Sequence, residues 1–159
     1  KILEKSNIKF DLVFTSRLKR AYNTTKIILK ILCSTHLPIF QSEDLNERYQ
    51  GAWEGRKVLD LEREYGGKES LRLLKRDFNF KPPAGHDGKE AESFLDVITR
   101  VSRFYESNIK PHLERGKTIL LVAHSCTLRA LLYYLKIFSE DDTKHIDIKN
   151  AEPLEYKLE

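Results

Sequence analysis

The stretch FDLVFTS (residues 10–16) is a short apolar run rich in β-formers, and it predicts a buried strand. The period changes immediately after it. In RLKRAYNTTKIILKIL, Leu18, Ala21, Tyr22, Ile27, Ile28, Ile31 and Leu32 fall near helical spacing, as on an amphipathic helix. LPIFQS (37–42) predicts a second short strand. DLNERYQGAWEG (44–55) has no clean period and two glycines, so a loop is expected there. Residues 57–65 predict a helix stopped by Gly66 and Gly67. KPPAGHDG (81–88) is a loop rich in Pro and Gly. Residues 92–108 give the clearest helix, with Phe94, Val97, Ile98, Val101, Phe104 and Tyr105 on one face. KTILLVAH (117–124) predicts a buried strand and residues 127–138 a helix. PLEYKLE (153–159) alternates like a strand with one exposed face.

Strands thus alternate with helices, which predicts an α/β fold with a mainly parallel, doubly wound sheet flanked by helices. Four strands are counted, slightly below the usual ~5–6 per sheet. KILEKSNIKF reads as the tail of a helix, and the chain holds no Met. The expectation is one domain over residues 1–159, with its first strand on a segment preceding Lys1.

Composition narrows the classes. The chain has 159 residues, 40% hydrophobic and 33% charged, which suits one globular domain with a real core. No apolar run approaches the roughly 20 residues of a membrane span, and no signal peptide is visible. Two cysteines, Cys33 and Cys126, are too few for a disulfide framework and are expected as free thiols in a reducing compartment. The net charge of +4 and pI near 9.0 fit a solvated basic surface or a focused anion site. Nucleic acid is disfavoured, because the basic residues are spread and no stacking aromatics alternate with them.

Ligands of such sheets collect beyond the carboxyl ends of the strands, where the following helices point their N-termini. Two seams have that form: Thr15-Ser16 leading to Arg17 and Arg20, and His124-Ser125 leading to Arg129. From inside the first helical turn, an Arg20 guanidinium can reach over the seam and grip phosphate oxygens in pairs; a surface arginine is the plain alternative. His124 closes a strand and is either a satisfied structural histidine or a phosphate donor, nucleophile or base. No second His or Cys stands at ligand spacing, so no metal site is expected. No G-x-S-x-G elbow accompanies Ser125. Glu47 and Arg48 lie among apolar and aromatic residues, a setting that raises a carboxylate's pKa and suits proton transfer, or else holds an ordinary loop ion pair. Lys75, Arg76 and Lys81 cluster beside aromatics as a basic patch or a clamp for an acidic substrate.

Together these segments resemble the cofactor-dependent phosphoglycerate mutase branch of the histidine phosphatase superfamily. FDLVFTSRLKRAYNTTKIIL resembles that family's strand and helix carrying the phosphate-binding arginine, here Arg20. LNERYQGAWEG resembles LNERHYGALQG, whose glutamate is the catalytic acid/base, here Glu47. KRDFNFKPP resembles the paired-arginine stretch RRxFxxxPP, which falls on Lys75 and Arg76. LLVAHSCTLRALLYYL resembles IIAAHGNSLRALVKYL, whose histidine is the second active-site histidine, here His124. ESFLDVITRV and NAEPLEYKL resemble the flanking helix and the closing strand.

The resemblance implies catalysis by Glu47 and His124, phosphate binding by Arg20, His124 and Ser125, and substrate binding by Arg48, Lys75, Arg76 and Cys126. It implies interconversion of 3- and 2-phosphoglycerate through a phosphohistidine, primed by 2,3-bisphosphoglycerate without a metal, in the cytoplasm. The partner is then a small phosphorylated metabolite, not nucleic acid or membrane, and a homo-oligomer stays open. The family nucleophile lies in an RHG motif at the end of the first strand. No RHG occurs among residues 1–159, where the histidines are His36, His86, His112, His124 and His145, and the motif is expected upstream of Lys1. Ser125 and Cys126 replace the family Gly and Asn, Gln50 replaces a tyrosine and Val58 a lysine. The segment AGHDGKEA is shorter than the family insert, and AWEG is closer to the phosphatase branch. These departures leave a phosphohistidine phosphatase, or an inactive paralogue that binds phosphorylated ligands, as alternatives.

Overall fold

The structure, a computed structural model, describes residues 2–157. Three parallel strands form one sheet: β1 (Leu12–Ser16), β2 (Ile39–Ser42) and β3 (Ile119–Val122), in the order β2-β1-β3. The register pairs Val13 with Ile39 on one side and with Leu120 on the other. Every residue of β1 is buried because it is the central strand with helices over both faces. Successive side chains point to opposite faces. Val13 packs with Leu29 of helix α2 (Lys19–Ile31) and Leu120, while Leu12 and Phe14 face the larger core.

That larger core is built by α5 (Phe94–Phe104) and α7 (Ser125–Tyr134). Phe94, Val97, Ile98, Val101 and Phe104 are all buried, as their spacing predicts. Ser93 starts α5 with a capping box, its Oγ accepting from Asp96 N–H while the Asp96 carboxylate accepts from Ser93 N–H. The helix does not stop at residue 108. A π-turn at Tyr105–Ile109 leads into α6 (Lys110–Leu113). Pro111 lacks an N–H and its ring crowds the carbonyl one turn back, which the widened turn accommodates.

The other helices are α1 (Ile2–Lys5), α3 (Val58–Glu64), α4 (Lys68–Arg76) and α8 (Glu140–His145). α1 agrees with the helix tail read in the sequence. α4 and α8 were not expected from the pattern, although α4 is amphipathic, with Leu71 buried and Leu74 packed beside it. The loop over residues 44–55 carries 3₁₀ turns at Glu43–Leu45 and Gly51–Trp53. Trp53 anchors α3 and α4 with Leu61 and Leu71, and its ring meets those of Tyr65 and Phe80 at centroid distances of 5.0 and 5.5 Å.

The expected strand over residues 153–159 is corrected by the structure: residues 153–157 form no strand, and 158–159 lie outside the described residues. Leu154 and Tyr156 are exposed, and no strand among the described residues lies alongside to take their backbone groups. β3 has a related feature. Its sequence ILLV is apolar on both faces, as in a central strand, yet among the described residues it stands at the sheet edge and is mostly half-buried.

Candidate active site

β1 and β3 run parallel and end side by side, so the residues after them meet. Ser16 Oγ lies 2.8 Å from His124 Nε2, and Arg20 Nε lies 3.3 Å from His124 Nδ1. An arginine nitrogen can only donate. Nδ1 is therefore the acceptor, and Nε2 carries the proton and donates to Ser16 Oγ. That oxygen also accepts from Leu18 N–H at 3.2 Å. His124 is buried, and burial first, then the charges of Arg20 and Arg100, push its pKa down from 6.5 to about 4. It is a neutral imidazole at neutral pH.

Both helices that leave this seam begin without a side-chain cap, α2 after Leu18 and α7 after His124. Their first-turn N–H groups and dipoles face the same place, which favours an anion. Arg20 is exposed at its rim, and Ser125 is the first residue of α7.

Glu47 is carried by the loop over residues 43–50, which is pinned at several points. Asn46 Oδ1 accepts from Arg17 N–H at 3.0 Å, and its carbonyl accepts from Thr127 Oγ1 at 2.7 Å. The residue before Glu47 is thus tied to both seams. Arg100 pairs with Glu92 at 2.7 Å and donates to the Asp44 carbonyl at 2.6 Å; Glu92 also accepts from Tyr49 N–H. Gly51 completes the loop at φ +54, and a Cβ there would lie 2.2 Å from the Pro83 carbonyl oxygen. Glu47 itself is partly buried. Burial raises its pKa above the ordinary carboxylate value, opposed by the Arg48 N–H bond to Oε1 and by the charges of Arg20, Arg129 and Arg100.

Next to His124 a cleft of about 210 Å³ opens. Glu47, Lys75, Arg76, Ser125, Cys126 and Arg129 line it, together with Arg48, Gln50 and Trp53. The structure thus gathers the candidates from separate segments, but their side chains are not equally free. Arg48 donates from Nε to the Glu92 carbonyl, from Nη1 to Lys75 and from Nη2 to Phe80, at 2.7, 3.2 and 2.7 Å. It ties three chain segments together. Arg76 donates to the Thr143 and Ile146 carbonyls and pairs with Asp147. Lys75 Nζ lies 5.9 Å from the Trp53 ring centre. Lys81 is drawn away, paired with Asp96 at 2.8 Å. Cys126 is buried, and burial pushes its thiol up to about 11, so it is a protonated, inert group.

Asn46 and Thr127 take part in this arrangement but were not singled out from sequence; Ser16 and Arg129 were named only as parts of the two seams, without a role of their own. A signal existed for the latter two. Parallel strands ending at one sheet edge bring Ser16 to His124, and i,i+4 spacing on a helix places Arg129 on the Ser125 face.

Comparison with known proteins gives the family. Residues 3–158 match the family model of the histidine phosphatase superfamily (branch 1). The chain belongs to the histidine phosphatase superfamily. It is 35% identical over 174 residues to the 2,3-bisphosphoglycerate-dependent phosphoglycerate mutase of Bifidobacterium longum, covering 99% of this chain and 70% of that one. It is 34% identical over 157 residues to the phosphoglycerate mutase of Schizosaccharomyces pombe, covering 99% of this chain and 71% of that one. Among solved structures, the α-ribazole phosphatase of Shigella flexneri superposes with a TM-score of 0.65 at 26% identity, over 92% of this chain and 68% of that one.

Proposed function

We propose that this protein is a phosphoglycerate mutase that interconverts 3- and 2-phosphoglycerate through a phosphohistidine, as a cytoplasmic glycolytic enzyme primed by 2,3-bisphosphoglycerate. The observation that carries it is the convergence of Arg20 and His124 on one seam, beside a cleft holding a single carboxylate, Glu47, among Lys75, Arg76 and Arg129. A transferred phosphoryl group sits over the starts of α2 and α7. Arg20 grips two of its oxygens, and the N–H groups after His124 face the third. Fixed donors aimed at a group whose charge redistributes stabilise the transition state without reorganising. Phosphate entry also draws Arg20 from His124 Nδ1 and favours the protonated imidazole, which then donates to the phosphoryl oxygens.

Glu47 is the proton shuttle. Its raised pKa keeps it able to give a proton to a leaving hydroxyl oxygen and take one from an attacking hydroxyl. Lys75 and Arg76 stand at the substrate end of the cleft; Arg48 holds the loop that carries Glu47 and does not itself reach the ligand. The bisphosphoglycerate fits the same donor set, one anionic group at Arg20 and His124 and the other at Lys75, and supplies the phosphoryl group that loads the nucleophile. The nucleophilic histidine this reading needs is not among the family motifs matched in residues 1–159; a strand carrying it would find a place beside the apolar β3, which stands at the sheet edge among the described residues.

A phosphatase reading is favoured by the likeness to the α-ribazole phosphatase and by the short segment over residues 84–91. The Schizosaccharomyces relative weighs against it. Its match runs over 157 residues for 99% of this chain, against 174 for the same share in Bifidobacterium, so a protein named a mutase lacks the long insertion too. Incubation with 3-phosphoglycerate and a trace of 2,3-bisphosphoglycerate, followed by phosphorus NMR, decides. Appearance of 2-phosphoglycerate is expected. Free phosphate alone identifies a phosphatase, and neither product with ligand binding retained identifies an inactive paralogue.

A further inference from the structure

Arg129 is a buried cation without an ion-pair partner among the described residues; the charges of Asp147 and Glu47 reach it only from farther off. It is 7% exposed, and its only hydrogen bond among the described residues runs from Nη1 to the Thr143 carbonyl at 2.8 Å. Nε is buried without a hydrogen-bond partner. The Phe94 ring, 5.6 Å from the guanidinium carbon, supports one face of the fork. A buried charge left in this state is costly unless a counter-charge arrives.

The position of the side chain says where that counter-charge comes from. Arg129 lies one turn beyond Ser125 and Cys126 on α7, so all three share a helix face, and that face lines the cleft with Glu47 and Lys75. Arg76, the other fork in the cleft, shares the Thr143 carbonyl with Arg129 but is neutralised by Asp147. Cys126 has neither the charge nor the length to compete for an anion. The cleft volume of about 210 Å³ equals that of several waters at ~30 Å³ each, room for a short-chain anion.

We infer that Arg129 is a specificity-determining residue, whose guanidinium holds the substrate's carboxylate at the end of the cleft away from the transferred phosphoryl group. The inference rests on the mutase reading above. Arg20 and His124 then select for phosphate, and Arg129 selects for the acid at the far end. The planar fork matches a carboxylate's two oxygens, whereas Lys75 offers only a point charge.

The test is equilibrium binding of two probes to the whole protein at one salt concentration: 3-phosphoglycerate and glycerol 3-phosphate, which lacks the carboxylate. Wild type is expected to prefer 3-phosphoglycerate by about tenfold or more. R129Q is expected to bind the two alike, with its affinity for glycerol 3-phosphate within about twofold of wild type. R129K keeps a cation but loses the fork, and its preference is expected to fall about threefold or more. A folded R129Q that keeps the preference, or loses both probes in parallel, overturns the inference. Should R129Q not fold, an undiminished preference in R129K overturns it equally. These outcomes leave the mutase reading standing if wild type still makes 2-phosphoglycerate. A wild type that binds neither probe overturns both.

Discussion

Ser16 Oγ stands 2.8 Å from His124 Nε2, so a hydroxyl from one strand fixes the ring at the end of its parallel neighbour. The same oxygen accepts from Leu18 N–H, and so also shapes the start of α2. Ser16→Ala removes the acceptor for both buried donors. We expect a loss of roughly 1–3 kcal/mol in urea unfolding, the usual cost of orphaned buried groups. We also expect kcat to fall more than KM rises, because the imidazole loses its set tautomer while the anion seat stays. Nitrogen NMR of the His124 ring checks the first cause directly. An unchanged Nε2–H tautomer in Ser16→Ala would refute it.

The depressed pKa of His124 gives stability a pH dependence with a definite sign. The unfolded chain titrates this histidine near 6.5 and the folded protein near 4. Between those values the unfolded state holds the extra proton, so the stability lost to His124 grows as pH falls from 6.5 and is complete below 4. His124→Asn should flatten that part of the curve. Thermal midpoints of both proteins, compared between pH 7 and pH 4.5, measure it. A constant difference between them over this range counts against a neutral buried imidazole. Inorganic phosphate should shift the wild-type titration upward, since a dianion at Arg20 favours the charged ring.

Arg48 is expected to act on stability and loop position rather than on ligand contact. Its three carbonyl acceptors lie on residues Lys75, Phe80 and Glu92. Arg48→Lys can satisfy only part of this set and Arg48→Met none of it. We expect Arg48→Met to cost several kcal/mol, or to abolish folding, because three half-buried carbonyls lose the donor that ties them together. Arg48→Lys should lose less. Denaturant unfolding ranks them, and equal stability of the two variants would contradict the bracket.

How far the sequence reveals this protein differs from feature to feature. β1, α5 and α7 are legible because their apolar period is set by burial against one core. Residues 153–157 carry an equally regular alternation but form no strand; the pattern records a side chain's polarity and not whether a neighbouring strand stands there. The phosphate seam is legible from Arg20 and His124, since each stands where a strand gives way to a helix. The division of labour among arginines is not. Arg48, Arg76 and Arg129 are alike as letters, and only the carbonyls of Phe80, Ile146 and Thr143 show which guanidinium remains open.

The two thiols should separate cleanly by reactivity. Cys33 is exposed, while Cys126 is buried and its pKa is pushed up to about 11. A thiol reagent at pH 8 should titrate one group in the native protein and the second only after denaturation. Fast labelling of two thiols in the folded protein would place Cys126 nearer solvent than described. Saturating 3-phosphoglycerate should leave the Cys33 rate unchanged.

Glu47 is the residue whose removal should separate chemistry from binding and from folding. Glu47→Gln keeps the shape and the acceptor for Arg48 N–H but cannot carry the proton. We expect kcat to fall about 10²–10⁴-fold, the usual contribution of a positioned proton-transfer group, with little change in the affinity for 3-phosphoglycerate. Stability should move the other way. Burial raises the folded pKa above the unfolded one, so the contribution of Glu47 is fully present below the unfolded value and is lost as pH rises through the folded value. Above the folded value the native state holds a carboxylate that burial disfavours, and the neutral amide relieves it. Glu47→Gln should therefore unfold at the same or a higher temperature than wild type at pH 7 while being nearly inactive. Lower stability together with full activity would remove Glu47 from the proton-transfer role. The acid limb of the wild-type kcat profile should also lie above the ordinary carboxylate value of about 4.3 and vanish in the variant.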